Sequence, residues 1–281
     1  MKKGKTLICT MLATAMLAAS CVSEDVSGLA PGSTDQATGW LMFNLKSDVP
    51  FTSDTRALNE DIYRNTDNYT VQLIQASNKS LVFECKAADL NTYLPRRVPI
   101  GEYEVKAWFG KEHDASRDEF LVEGEKNFTI KSGEDHPMVT VNCIPTCGKL
   151  MVAFDSSMDT YYNSYNVTFS GTKQLGSKTI EWKKGEIEPW YIALDKAGET
   201  VKYTIDLTVK DDYAHINSNG EKTTTGKIEG SFRLQRNHAQ KLTLKPNYIP
   251  SEDGALDITI TIDDSTIDKT YDWEVPTTWI Y

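Results

Sequence analysis

Gly101-Glu102-Tyr103-Glu104-Val105-Lys106-Ala107-Trp108-Phe109 alternates large apolar and mostly charged side chains with a period of two. Side chains of an extended strand point to opposite faces in turn, so Tyr103, Val105, Ala107 and Phe109 share a dry face and Glu102, Glu104, Lys106 and Trp108 a wet one. One buried and one solvated face is the signature of antiparallel sheet. Upstream, Tyr69, Val71 and Leu73 alternate with Thr70 and Gln72, and Leu81 and Phe83 return after a turn at Ser77 to Ser80, which predicts a hairpin. Downstream, Phe128 and Ile130 lead through the Ser132-Gly133-Glu134-Asp135 turn to Val139, Val141 and Cys143.

Pro145 and Gly148 punctuate the middle, and a second series of short strands follows. It runs through Leu150, Val152 and Phe154; Tyr165, Val167 and Phe169; Ile180 and Trp182; and Trp190, Ile192 and Leu194. Its longest alternation, Val201 to Val209, is set opposite Ile228 to Leu234, and Leu256, Ile258, Ile260 and Ile262 close the series. The longest helix-like window, Ala87 to Tyr93, is one or two turns. The chain therefore reads as all-β, two β-sandwiches in series, with residues 39–146 and 147–281 as the two domains.

Before the first strand, Lys2, Lys3 and Lys5 precede an apolar run from Thr6 that ends Leu17-Ala18-Ala19-Ser20-Cys21. A basic head, a short apolar stretch and small residues before a cysteine make a lipobox, with residues 1–20 as signal peptide and Cys21 lipidated. The run falls short of the roughly 20 apolar residues that a membrane-spanning helix needs. Residues 21–38, rich in Gly, Ser, Thr, Pro and Asp, read as a tether that buries too little to order itself. Gly39 to Ser47 reads as a first strand. Thr52 to Asn68, polar and containing Arg56-Ala57, reads as an exposed loop.

The 30 basic and 40 acidic residues give a net charge of −10 without a basic patch, which excludes nucleic acid as a partner, since phosphate binding needs clustered Lys and Arg. Cys85, Cys143 and Cys147 read as buried thiols, with a Cys85–Cys143 bridge as the alternative. The Cys143 and Cys147 pair has no neighbouring cysteine or histidine pair, so no zinc, other metal or cofactor is expected. His113, His136, His215 and His238 sit in polar turn contexts, and neither a nucleophile elbow nor a phosphate loop is present, which points to no enzyme. Trp182, Trp190 and Tyr191, with Tyr161, Tyr162 and Tyr165 nearby, read either as core or as a platform for glycan rings. The tail from Asp268 is dense in Tyr271, Trp273, Val275, Trp279 and Tyr281, and reads either as a docked last strand or as one offered to another chain.

Leu94-Pro95 and Val98-Pro99-Ile100-Gly101-Glu102-Tyr103-Glu104-Val105-Lys106-Ala107, then Phe128-Thr129-Ile130, Val139 to Cys143 and Lys149 to Phe154, resemble the fimbrillin-like lipoproteins of Bacteroidetes, within a domain-of-unknown-function branch of Bacteroides surface proteins. The resemblance implies tandem transthyretin-like, Ig-like sandwiches in a pilus or adhesin subunit carried as a lipid-anchored precursor to the outer membrane and cell surface. It also implies partners: a processing protease that cuts at Arg56-Ala57 with Arg64, Arg96 and Arg97 as other arginines within its reach, and further pilus subunits. In that scheme residues Gly39 to Ser47 are expelled and a strand from the C-terminal region, Tyr271 to Tyr281, is donated. The alternative is a glycan-binding surface lipoprotein of a nutrient-uptake system, with host or bacterial glycans as ligands.

Overall fold

The computed structural model describes residues 37–51, 58–133, 138–216, 220, 222–248, 256–264 and 269–273, all within one compact unit. In chain order the strands are β1 Thr38–Leu41, β2 Phe43–Ser47, β3 Thr70–Gln75, β4 Ser80–Lys86, β5 Arg96–Pro99, β6 Gly101–Phe109, β7 Ala115–Ser116, β8 Val122–Ile130, β9 Val139–Pro145 and β10 Cys147–Phe154. They continue with β11 Tyr162–Ser170, β12 Ile180–Lys183, β13 Trp190–Ala193, β14 Glu199–Val209, β15 His215–Ile216, β16 Lys222–Thr223, β17 Thr225–Leu234, β18 Ala239–Tyr248, β19 Leu256–Asp264 and β20 Lys269–Trp273. The protein is an all-β sandwich fold.

The alternating stretch of β6 lies inside a six-stranded sheet ordered β2-β9-β8-β6-β3-β4. Tyr103, Val105 and Ala107 are buried as their parity requires, and the β3–β4 hairpin forms with Val71 opposite Cys85 and Leu73 opposite Phe83. Over the dry face lie the β1–β5 ladder and the segment that carries Val49, Phe51 and Tyr63, so the first core joins Leu41, Val98, Phe51 and Tyr63 to the sheet. The second core is enclosed between a four-stranded sheet, β12-β11-β14-β17, and a six-stranded one, β20-β19-β18-β10-β13-β7. In it Val201, Tyr203, Ile205, Leu207 and Val209 are all buried, and Val201 faces Phe232 while Ile205 faces Ile228.

The two cores share material. Cys147, Tyr191 and Ala239 from the later part of the chain pack in the first core, and β7 pairs with β13 through Ala115–Ile192 and Ser116–Tyr191. At this crossing a Cβ on Gly148 would stand 2.5 Å from the Leu234 side chain, so only glycine lets the backbone pass. Cys85, Cys143 and Cys147 are free thiols. Burial pushes Cys143 up to about 12, burial with Asp89 and Glu84 nearby pushes Cys85 up to about 11, and burial raises Cys147 as well.

Two expectations are corrected. The first strand is not one element: the chain breaks at Met42, where β1 leaves its antiparallel partner β5 and β2 begins a parallel ladder on β9. The reason is that Leu41 and Phe43 both face core, against two different partner strands. Nor is the whole of Thr52 to Asn68 an exposed loop, because residues 60–63 form a 3₁₀ turn that buries Glu60 and Tyr63. Composition alone reads a lone glutamate as solvated, and a partner distant in sequence reverses that outcome.

Candidate functional site

The described residues 37–51 and 58–64 hold an edge strand and the side chains that anchor it. β2 occupies the edge of its sheet, paired in parallel with β9 from Phe43–Val139 to Ser47–Cys143. Asp48 extends the ladder by donating its backbone N–H to Cys143 O at 2.9 Å. β1 pairs only with the short β5 among the described residues, from Thr38–Pro99 to Leu41–Arg96. Where β1 crosses the end of β8, a Cβ on Gly39 would fall 2.1 Å from Lys131 O, so this strand is seated closely.

Four apolar side chains plug this segment into the body: Leu41, Phe43, Val49 and Phe51, all 5% exposed or less. Phe43 stacks on Phe83 with centroids 6.5 Å apart, and Phe51 meets Phe120 edge-on at 5.6 Å and Tyr191 at 5.9 Å. Each plug removes apolar surface from water and contributes about 1.5–3 kcal/mol. At the end of β2, Ser47 Oγ donates to Tyr63 O at 2.7 Å and lies 3.0 Å from the Tyr69 hydroxyl, which itself donates to Tyr63 O at 2.7 Å. Arg64 ties the two sides of the loop together, since its guanidinium donates to Val49 O, to Phe51 O and to Asp61.

Beyond the loop the attachment is of a different kind. Asn59 caps the 3₁₀ turn by accepting the Asp61 N–H at 3.1 Å. Glu60 Oε1 then receives Lys149 Nζ at 2.8 Å and the Tyr191 hydroxyl at 2.6 Å, and the Glu60 and Lys149 side chains are 3% and 0% exposed. Burial, and next the carboxylate it donates to, raises the Tyr191 phenol far above its ordinary value. The ion pair joins the 3₁₀ turn to β10 and β13. The sequence carries one signal for it: Lys149 interrupts the apolar run around Cys147 to Val152, and a charge in a buried run needs a buried partner.

The other sequence-derived candidates divide clearly. Cys21, Arg56 and Ala57 lie outside the described residues, as do Val275, Trp279 and Tyr281. Tyr271 and Trp273 belong to β20, whose backbone pairs antiparallel with β19 at the edge of its sheet, Ile262 opposite Tyr271 and Ile260 opposite Trp273. Arg96 and Arg97 are in β5, with Arg97 over the Trp40 ring at 5.0 Å.

The proposed glycan platform is corrected. Trp182 is fully buried and donates its indole N–H to Glu186 O at 3.0 Å, and Tyr191 is 1% exposed. Trp190 is partly buried, and the Arg117 guanidinium lies 5.2 Å from the Trp182 ring and 4.7 Å from the Trp190 ring while pairing with Glu186 at 2.5 Å. These rings are core and cation partners, so they do not present a free face. Tyr162 and Tyr165 are buried as well. Among the described residues no group of three His, Cys, Asp or Glu side chains is placed to hold a metal ion.

A family model described as a domain of unknown function, DUF4493, matches residues 37–277. No curated protein matches the chain. Among solved structures, the chain is similar to a fimbrial assembly protein from Parabacteroides distasonis, with 11% identity and a TM-score of 0.43 over 84% of this chain and 98% of that one. It is also similar to the tip fimbrial protein Mfa3 from Porphyromonas gingivalis in a C-terminally truncated form, with 10% identity and a TM-score of 0.43 over 81% of this chain and 99% of that one.

Proposed function

The chain belongs to the DUF4493 family, a domain of unknown function, and from that premise we propose that it is a non-enzymatic, surface-exposed subunit of a fimbrial or adhesive assembly that polymerises by strand exchange. In this reading the lipid on Cys21 holds the precursor at the outer membrane, and a trypsin-like protease cuts at Arg56-Ala57. The segment carrying Gly39 to Ser47 then leaves, and the tail of another subunit, Tyr271 to Tyr281, takes its place. Residues 39–146 and 147–281 act as the two sandwich domains of the subunit.

One observation carries the reading: β2 is a parallel edge strand on β9, and the chain that follows it reaches the next described residues through the segment holding Arg56. Taking β2 away would uncover a row of unpaired β9 backbone groups together with the sockets of Leu41, Phe43, Val49 and Phe51. A bare edge beside apolar sockets is satisfied by an added strand, whose backbone supplies affinity and whose alternate side chains supply fit. The buried Glu60–Lys149 pair would keep the downstream side in place during the exchange.

Limited trypsin digestion of the whole chain, read by mass spectrometry and by unboiled gel electrophoresis, tests this. Cleavage after Arg56, release of the upstream segment and a ladder of oligomers are expected. The same treatment of an Arg56→Gln variant should leave monomer. A chain cut at Arg56 that stays monomeric would sink the reading, and so would polymers that form unchanged after truncation behind Lys269.

A further inference from the structure

We propose that the wet face of the first sheet carries a binding site for neutral oligosaccharide, built around Trp108. A cleft of about 550 Å³ opens there, floored by β6, β8 and β9 and roofed by the turns at Lys196-Ala197 and Gln235-Arg236. Ladder register sets its floor: Trp108 stands opposite Glu123, which stands opposite Ile144, while Lys106 stands opposite Glu125 in the next row. A cleft this size accepts a few sugar rings.

Trp108 is the residue that points to the ligand. Trp40 lies under Arg97, Trp182 is buried, and Trp190 lies against Arg117. Among the tryptophans whose side chains are described, Trp108 alone is only partly buried with neither a ring nor a cation over it, and it opens onto the cleft. The part of an indole that faces a cleft is a flat, weakly polar surface with a negative face, suited to the C–H face of a pyranose ring.

The charges around it point to a neutral ligand. Arg236 Nη1 lies 3.8 Å from Glu123, Lys196 pairs with Glu125 at 3.5 Å, and Lys106 with Glu104 at 3.0 Å. Arg236 is further fixed by donating Nε to Leu194 O at 2.6 Å. Every cation lining the cleft sits on a carboxylate, with Glu104 shared between Lys106 and Lys79, so none stands unpaired to recruit a phosphate or an acidic peptide. The rest of the lining beside the indole is neutral: the exposed amides of Asn142 in β9 and Gln235 in the facing turn, with the apolar Leu121 and Ile144. A hydroxyl-rich ligand with apolar ring faces matches that set. The site shares none of the four plugs and stands or falls apart from strand exchange.

The test uses the full chain, titrated calorimetrically with cellohexaose, maltoheptaose, mannohexaose and chitohexaose, and with heparin as a polyanion. At least one neutral oligosaccharide should bind in the millimolar range or tighter, with a blue shift of tryptophan fluorescence. Trp108→Ala should weaken that binding at least tenfold, while Ile187→Ala, on an exposed residue away from the cleft, leaves it unchanged. Should Trp108→Ala fail to fold, Asn142→Ala and Gln235→Ala take its place, each expected to lower affinity severalfold. Binding of heparin alone, binding of none of the four, or neutral binding indifferent to Trp108, Asn142 and Gln235 overturns the proposal.

Discussion

The chain on the two sides of Arg56 is fastened to one body by opposite means. Upstream, Leu41, Phe43, Val49 and Phe51 are apolar plugs, and β2 adds backbone hydrogen bonds to a sheet edge. Downstream, one carboxylate is sealed against Lys149 and Tyr191. Hydrophobic burial is non-directional and follows area, so other apolar side chains of similar size at these positions would be held about as well. A buried ion pair tolerates no such exchange, because losing one partner strands the other in a medium that does not solvate it. The contrast teaches which side of the loop the fold treats as replaceable.

The strongest way to break the comparison is at the downstream side. Lys149→Ala should destabilise the protein by about 3–5 kcal/mol, since it leaves the Glu60 carboxylate buried without its cation; urea unfolding followed by circular dichroism measures it. Replacing both members, Glu60→Leu with Lys149→Met, should recover most of that loss, because a well-packed apolar pair matches a buried ionic one. If the double variant is as unstable as the single one, packing rather than charge holds this side.

Next comes Phe51→Ala, expected to cost about 3 kcal/mol by emptying the space beside Phe120 and Tyr191. The same substitution should also speed release of the residues before Ala57 once the chain is cut after Arg56, followed by mass spectrometry, which sharpens the division between the two sides. Smallest is Arg64→Ala. Its side chain is 36% exposed, so losing its bonds to Val49 O and Phe51 O should cost only about 1 kcal/mol. The readout with more leverage is the rate of tryptic cutting at Arg56, which should rise as residues 49–51 loosen.

Much of this architecture is written in local pattern. The period-two run of β6 and the longer one of β14 place their buried faces directly, because a strand's side-chain parity depends on nothing beyond the strand. The edge position of the first strand segment is not written there. Trp40, Leu41, Met42 and Phe43 form an unbroken apolar run in which both parities are credible, and only the change of partner at Met42 decides which are buried. Glu60 is still less legible, since its partners Lys149 and Tyr191 arrive from β10 and β13. The glycan candidates failed for a related reason: aromatic density near Trp182 marked the core around Arg117, whereas Trp108 looked like a routine wet-face position in an alternating strand. Aromatic count says nothing about whether a ring is covered.

The pairing of β2 with β9 also has a consequence for the order in which the protein assembles itself. Phe43 and Val139 lie at opposite ends of the first sheet's sequence, whereas β3 meets β4 across one tight hairpin and β6 meets β8 soon after. Closing a long loop costs more chain entropy before any contact repays it, so local pairings come early and distant ones late. The sheet should therefore nucleate on β3, β4, β6 and β8, with β2 docking among the last events. A segment that joins last on the way in is the one whose departure leaves most of the folded nucleus undisturbed. A slow, low-amplitude final phase in refolding, absent when residues 1–51 are deleted, is its kinetic mark.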